Sequence, residues 1–331
     1  MEVGMAFWSA QTLLTAIKLG LFTDLGSSKK TGEELRSSLG LHDRSNPDFF
    51  DTLVALKFLD REGDGKLAKY ANTPETAAFL DRNSPAFIGG FLEMAHDRLY
   101  PFWGNLADGL KSGTAQNETK HGGAGVFEEL YSQPERLEQF MDAMAGLSYG
   151  NFATLAEKFD FSGYKTLVDV GGATGLLSTL IAKANPHMSC TSTDLPPATE
   201  IAKKKIEAAG VSDRVKAEPI DFFTDPIPAA DVVTMGMILH DWNLEKKMML
   251  IRKAYDALPE GGAFIAIEAI IDDARRENAF GLMMSLNMLI EFGDAFDYTH
   301  ADFDRWCREV GFKRTECTHL VGPSSAVVAY K

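Results

Sequence analysis

Cysteine is scarce in this chain of 331 residues: only Cys190, Cys307 and Cys317 occur. An odd, sparse set at these spacings argues against a disulfide framework, matches no metal-ligand motif and suits a reducing compartment. Basic residues are also short, with 33 Lys and Arg against 47 Asp and Glu, for a formal net charge of −14. A field of that sign repels phosphate backbones and anionic bilayer surfaces, so neither nucleic acid nor membrane is expected as a partner. No apolar run approaches the roughly 20 residues that span a bilayer. The Met-Glu start carries no cationic segment, so no secretory signal is expected. Internal repeats and low-complexity tracts are missing too. What remains is a cytoplasmic globular protein, 45% hydrophobic, long enough for one large and one small domain.

The stretch that organises the rest is Lys165-Thr-Leu-Val-Asp-Val-Gly-Gly-Ala-Thr-Gly175. Apolar, partly β-branched residues run into a Gly cluster. Leu176, Leu177, Leu180 and Ile181 then recur on one helical face. Strand, tight turn and helix make the opening unit of a doubly wound sheet, with free N–H groups at the helix start for an anionic group. A dinucleotide fingerprint needs Gly at its first, third and sixth positions. Counted from Gly171, those fall on Ala173 and Leu176, which counts against a nicotinamide or flavin dinucleotide. The frame present is Asp169-x-Gly171-x-Ala173-x-Gly175.

Residues 1–95 read as mainly helical. Phe7, Trp8, Leu13, Leu14, Ile17 and Leu21 keep helical spacing, Thr31–Gly40 has an N-cap and a closing Gly, and Pro47–Leu59 forms another amphipathic helix. Arg61–Tyr70 predicts a hairpin turned at Gly63-Asp-Gly65. This is a winged-helix outline. Its candidate recognition helix carries Asp48, Asp51 and one basic residue, Lys57, the wrong charges for DNA. Its apolar faces exceed what so small a unit buries alone, so a homodimer is expected through it. Residues 96–150 form a helical bridge, with a helix over Pro134–Met144 ending near Gly146. Residues 151–331 alternate strand and helix, which predicts a mostly parallel seven-stranded sheet, doubly wound and Rossmann-like. The strands are expected at Thr166–Val170, Met188–Thr193, Val215–Ile220, Asp231–Leu239, Ala263–Ile270, Arg314–Leu320 and Ala326–Tyr330. Only Gly322-Pro-Ser-Ser separates the final two, so the last is antiparallel.

Three constellations carry chemistry. Asp194, about twenty residues past the Gly turn, stands where a carboxylate accepts from ribose hydroxyls. Asp221-Phe222 pairs a carboxylate with a ring, which suits adenine. The third constellation is Ile238-Leu-His240-Asp-Trp-Asn243 at one strand end, with Glu268 near the end of the next. A histidine oriented by a carboxylate is the minimum apparatus of a general base. A helix-capping His240 with a solvated Glu268 is the alternative. Phe140 and Met144, one helical turn apart, suit either core packing or an apolar pocket wall.

The run from Val168-Asp-Val-Gly-Gly-Ala-Thr-Gly through Asp-Leu-Pro, Asp221-Phe-Phe and Leu-His-Asp-Trp to Ala257-Leu-Pro-Glu-Gly-Gly resembles the plant caffeate/flavonoid type of small-molecule O-methyltransferase. Acetylserotonin and bacterial polyketide O-methyltransferases share that pattern. The resemblance covers essentially the whole chain, the family's N-terminal dimerisation domain included. It implies S-adenosylmethionine (SAM) as cofactor and methyl transfer to a small-molecule acceptor, with no metal. Residue by residue it implies His240 as base, Glu268 as its orienting carboxylate and Asp297 as a second acid. It places Asp169, Gly171, Gly172, Asp194, Leu195, Asp221 and Phe222 against SAM. Phe140, Met144, Asp241, Met284, Met288 and Phe292 fall at acceptor-pocket positions.

The departures are Ala173 for a Gly, Pro219-Ile220 before Asp221, Gly236 for a Lys near SAM, and the stretch from Glu291 to Phe296. Asp272-Asp273 reads as a solvated loop rather than a Mg²⁺ site. Methylation of sulfur or nitrogen, or SAM binding without methyl transfer, are the rival readings.

Overall fold

The structure is a computed structural model that describes residues 1–84, 86–123 and 130–331. Its contacts divide the chain into two units, Met1–Pro101 and Phe102–Lys331.

In the first unit, helix Glu2–Lys18 breaks at Gly20 before the short helix Leu21–Leu25. Helix Gly32–Ser38 starts on a capping box between Thr31 and Glu34, which satisfies two orphan donors at once. Strands β1 (Lys30–Thr31), β2 (Leu59–Glu62) and β3 (Lys69–Asn72) form a small antiparallel sheet in the order β1-β3-β2. The helix expected to reach Leu59 spans Asp48–Ala55. Lys57 adopts φ +68, while Phe58 N–H donates to Leu53 O and Lys57 N–H to Val54 O. That is a Schellman closure with Lys at the position Gly usually takes, and it frees Leu59 to begin β2. Ile17, Phe22, Leu35, Phe50, Leu53, Leu59 and Tyr70 form this unit's core.

The second unit is built on β4 (Thr166–Val170), β5 (Ser189–Asp194), β6 (Val215–Pro219), β7 (Val232–Gly236), β8 (Ala263–Glu268), β9 (Arg314–His319) and β10 (Ser325–Tyr330). Among the described residues their order is β6-β5-β4-β7-β8-β10-β9, and β10 alone runs against its neighbours β8 and β9. The fold class is the one the alternation predicts, with a refinement. The last strand lies inside the sheet and β9 takes the edge. Helices cover both faces, and β8 is buried at all six positions, as a central strand requires.

Two sequence boundaries shift for physical reasons. The helix expected to end near Gly146 runs from Pro134 to Lys158. Interior glycines cost about 1 kcal/mol each, and burial of Leu155 and Ala156 against Leu177 and Ile181 offsets that cost. The strand expected to reach Leu239 stops at Gly236, because Met237 takes φ +57 and Leu239–Asp241 forms a tight 3₁₀ turn. No helix among the described residues is long and apolar enough to cross a membrane.

Candidate functional site

The sheet reverses its winding at β4, between β5 and β7. Crevices at the carboxyl ends of such strands are where doubly wound folds bind ligands. The loop leaving β4 is packed to the limit. A Cβ added to Gly171, at φ +69, would lie 2.3 Å from Ile238 Cδ1, and one on Gly172 would lie 2.2 Å from Ser192 Oγ. Ala173 is held at φ +46, a region costly for any residue with a Cβ. Beneath the loop, Asp169 is buried, and Thr234 Oγ1 donates to its Oδ1 at 2.8 Å. Burial raises its pKa to about 7; the Thr234 bond opposes this and the Asp194 charge adds to it.

Asp194 closes β5 with both oxygens engaged. Oδ1 accepts from Tyr131 Oη at 2.6 Å and from Leu195 N–H at 2.8 Å, while Oδ2 accepts from Ala173 N–H at 3.0 Å. Burial still pushes this carboxyl up. Leu195 caps the helix Pro196–Ala208. Nothing in the sequence flagged Tyr131, which reaches Asp194 from a distant segment.

At the end of β6, Asp221 Oδ1 accepts from Phe223 N–H. Phe222 packs beside Phe223, with ring centres 4.7 Å apart, and against Ile238 and Trp242 in the core. Lys253 Nζ fixes this turn by donating to the carbonyls of Phe222, Phe223 and Asp225 at 2.7, 2.8 and 2.9 Å. The pieces fit a SAM site by chemistry: a tight Gly loop, a buried carboxylate at a strand end, and a carboxylate next to a ring.

His240, 3% exposed, lies on the 3₁₀ turn after β7. Its Nδ1 faces Asp297 Oδ1 at 3.3 Å and its Nε2 faces Asp241 Oδ1 at 3.4 Å. Glu268, buried at the end of β8, accepts from the His240 backbone N–H at 3.1 Å. The carboxylates beside the ring are therefore Asp297 and Asp241, while Glu268 accepts from the main chain. Burial drives the imidazole pKa down, but Asp241, Asp297 and Glu268 drive it up further, to about 10. Burial lifts Asp241 to about 7 against the pull of His240, and lifts Glu268 as well.

Lys247 stands behind this cluster, fully buried in the first turn of helix Leu244–Ala257. Its ammonium donates to Trp242 O and lies 3.7 Å from the Phe296 ring centre.

Helix Ala279–Phe292 begins at Asn278, whose side chain accepts from Gly281 N–H. Asp272 accepts from the N–H groups of Arg276, Glu277 and Asn278, which folds the segment ahead of this helix into a turn. These bonds hold the Asp272 carboxyl at about 2. Asp273 accepts from Ala301 N–H. Both acids of that pair thus serve backbone donors.

Met288 is buried, while Met284 and Phe292 are half-buried on this helix. Ser285 Oγ accepts from Asp297 N–H, and Asn287 accepts from Trp103 Nε1. The helix therefore ties the acid loop to the start of this unit. Phe140 and Met144 are half-buried on helix Pro134–Lys158, whose Leu137 and Met141 insert against Ala198 and Ile201.

The family described as O-methyltransferase domain (Methyltransf_2) matches residues 103–313. The chain is 35% identical over 331 residues to the tetracenomycin polyketide synthesis 8-O-methyl transferase TcmO of Streptomyces glaucescens, covering 100% of this chain and 96% of that protein. It is 31% identical to the N,N-dimethyltransferase OxyT of Streptomyces rimosus, covering 95% and 90%. The crystal structure of human N-acetylserotonin methyltransferase in complex with SAM superposes with a TM-score of 0.91 at 26% identity, covering 100% of this chain and 96% of that one.

Proposed function

The chain belongs to the SAM-dependent O-methyltransferase family, and from that premise we propose that it methylates a hydroxyl of a small aromatic metabolite, with His240 as general base. The observation that carries this reading is the buried imidazole at the carboxyl-end rim, with a carboxylate facing each ring nitrogen. Asp169, Gly171, Gly172, Asp194, Leu195, Asp221 and Phe222 would hold SAM. When bound, SAM supplies an electrophilic methyl on a sulfonium.

A phenol with a pKa near about 10 keeps its proton at neutral pH. His240 is in position to take that proton as the new bond forms. With the imidazole lifted to about 10 and Asp241 to about 7, the ring and Asp241, 3.4 Å apart, titrate as a coupled pair that must shed a proton before Nε2 can accept one. Asp297 sets the ring's direction and Glu268 fixes the turn beneath it. Positioning supplies much of the remaining rate in an in-line displacement. Phe140, Met144, Met284, Met288 and Phe292 would shape the acceptor pocket. Relatives acting on polyketide, naphthoate and acetylserotonin hydroxyls support an aromatic acceptor.

The reading extends to a cytoplasmic homodimer formed through the N-terminal unit. It is supported by Val3, Phe7 and Trp8 standing exposed on the first helix and by cysteines that are all free.

The test is transfer of isotope-labelled methyl from SAM to a mixed panel of phenols, thiols, N-heterocycles and hydroxy acids. A labelled methyl ether is expected, with turnover at least 10²-fold lower in His240→Ala and SAM affinity unchanged. Unaltered turnover in that variant rules out the base. Methylation of nitrogen is the second reading, favoured by the likeness to an N,N-dimethyltransferase. An amine needs less base assistance, so label on nitrogen with a mild His240→Ala effect would select it. Tight SAM binding with no label on any acceptor would mark a non-methylating relative.

A further inference from the structure

We propose that Ile238 is a positioning residue, the brace through which bound SAM stiffens the turn that carries His240. It rests on the reading of the Gly171 loop as part of the SAM site and of His240 as base.

The turn leaves β7 abruptly. Met237 takes φ +57, a left-handed conformation disfavoured for any residue with a Cβ, so its surroundings must hold it there. Two bonds do so, and both end on β8. Met237 N–H donates to Ile267 O at 3.0 Å, and His240 N–H donates to Glu268 Oε1 at 3.1 Å. Between these pins Leu239–Asp241 closes as a 3₁₀ turn, with Asp241 N–H donating to Ile238 O. Leu239 goes into the core.

Ile238 reaches the other way, toward β4, the neighbour of β7 on the side away from β8. A Cβ on Gly171 would overlap Ile238 Cδ1 and lie 3.0 Å from its Cγ1 and 3.9 Å from Phe222 Cε1. The isoleucine therefore fills the space that Gly171 leaves open, beside the Phe222 ring. Its backbone belongs to a turn fastened on β8, while its side chain bears on the loop after β4. One half-buried residue thus spans three adjacent strands. A β-branched side chain is stiff at χ1, and close-packed contacts transmit displacement instead of absorbing it. Opening the turn would withdraw Ile238 from Gly171 and Phe222 and loosen the SAM site. By linkage, bound SAM opposes that opening by the same free energy. The cofactor then fixes the base before any acceptor reacts.

The experiment is residue-resolved hydrogen exchange of the His240 backbone N–H, with and without S-adenosylhomocysteine, which has no methyl to transfer. In the wild type, ligand at 100 times its Kd should slow exchange about 10- to 100-fold, the upper figure being full coupling. In Ile238→Ala, at the same multiple of that variant's own Kd, the slowing should shrink to less than about 3-fold. Ile238→Val, which loses Cδ1 alone, should fall between. The ratio of the two rates is what is read. A turn merely loosened by lost methyl groups exchanges faster in both states and keeps its ratio, and that outcome overturns the proposal. So does a wild type that binds the ligand without slowing. Ile238→Val decides alone if Ile238→Ala does not fold, an unchanged ratio again overturning the brace.

In turnover at saturating SAM, Ile238→Ala should lower kcat about 10-fold with the acceptor KM unchanged, because the base is less well placed. An unaltered kcat overturns the positioning role. Failure of the underlying reading is seen separately. A wild type that does not bind S-adenosylhomocysteine removes the SAM site. An active His240→Ala removes the base and leaves the exchange result, which reads only the turn, in force. An inactive His240→Ala with an unchanged exchange ratio in Ile238→Ala removes only the role of Ile238.

Discussion

Asp297 Oδ1 stands 3.3 Å from His240 Nδ1, and both side chains are buried. The charge of Asp297 is one of the terms raising the imidazole pKa. Asp297→Asn removes it, so the ring should titrate at lower pH and the acid limb of the kcat profile should move down. The ring also loses the partner that directs it, so the plateau should fall about 10- to 100-fold. A kcat–pH profile reads both. An unchanged plateau would show that another group orients the ring.

Asp169 makes a testable contribution to pH-dependent stability. Its carboxyl titrates near 7 in the folded state because it is buried, against about 3.9 in an unfolded chain. Between those values the unfolded chain has lost the proton that the native state keeps. The contribution therefore turns against folding as pH rises through that window, and stays level above it. Asp169→Asn removes the effect while keeping an acceptor for Thr234. Urea midpoints of the variant and wild type should diverge in the variant's favour from pH 5 to pH 8, and parallel midpoints would refute the buried-acid argument.

How much of this was legible beforehand follows the range of the signals. The strands of the second unit and the Gly loop are local patterns, and they landed within a few residues. Helix Asp48–Ala55 was overrun because Lys57, not Gly, closes it. Helix Pro134–Lys158 was cut short because its glycines are outweighed by packing that the sequence does not display. The start of helix Ala279–Phe292 carried a usable signal in Asn278. In the site, the residues singled out on strand ends do gather at one rim. The partners that set their charge were not legible: Tyr131 on Asp194, Lys253 under Phe222 and Lys247 behind His240. Tyr131 and Lys253 reach their partners across long stretches of chain, Lys247 is buried in the first turn of the next helix, and nothing in the local sequence marks any of them for these contacts.

Ala173 tests the strain in the loop. At φ +46 its Cβ crowds the backbone, which costs roughly 1–2 kcal/mol. Ala173→Gly relieves that strain but gains unfolded-state entropy worth about 0.4–1 kcal/mol. The net should be a stabilisation of up to about 1.6 kcal/mol, read as a rise in Tm. A fall in Tm would mean that the Ala173 methyl, packed near Leu137 and Met141, is worth more than the strain.

Tyr131 donates to the oxygen of Asp194 on which Leu195 N–H also converges. Ribose hydroxyls would compete for the same lone pairs. Tyr131→Phe should tighten SAM binding a few-fold, the equivalent of one hydrogen bond at about 1 kcal/mol. Calorimetric titration with SAM measures it, and weaker binding would make the hydroxyl a support for the carboxylate rather than a competitor.

The place of β10 between β8 and β9 bears on how the protein is made. Chains leave the ribosome in order, at roughly 5–20 residues per second. After Glu268 has emerged, β8 has no partner on one side until Ser325–Tyr330 appears, a wait of several seconds. Through that interval an entirely apolar strand edge, capped by the glutamate of the His240 centre, is open to any other extended segment nearby. Newly made copies translated side by side would be most prone to wrong pairing there. Slower translation between these two strands should increase aggregation, and chaperone binding to nascent chains should be densest over the same interval.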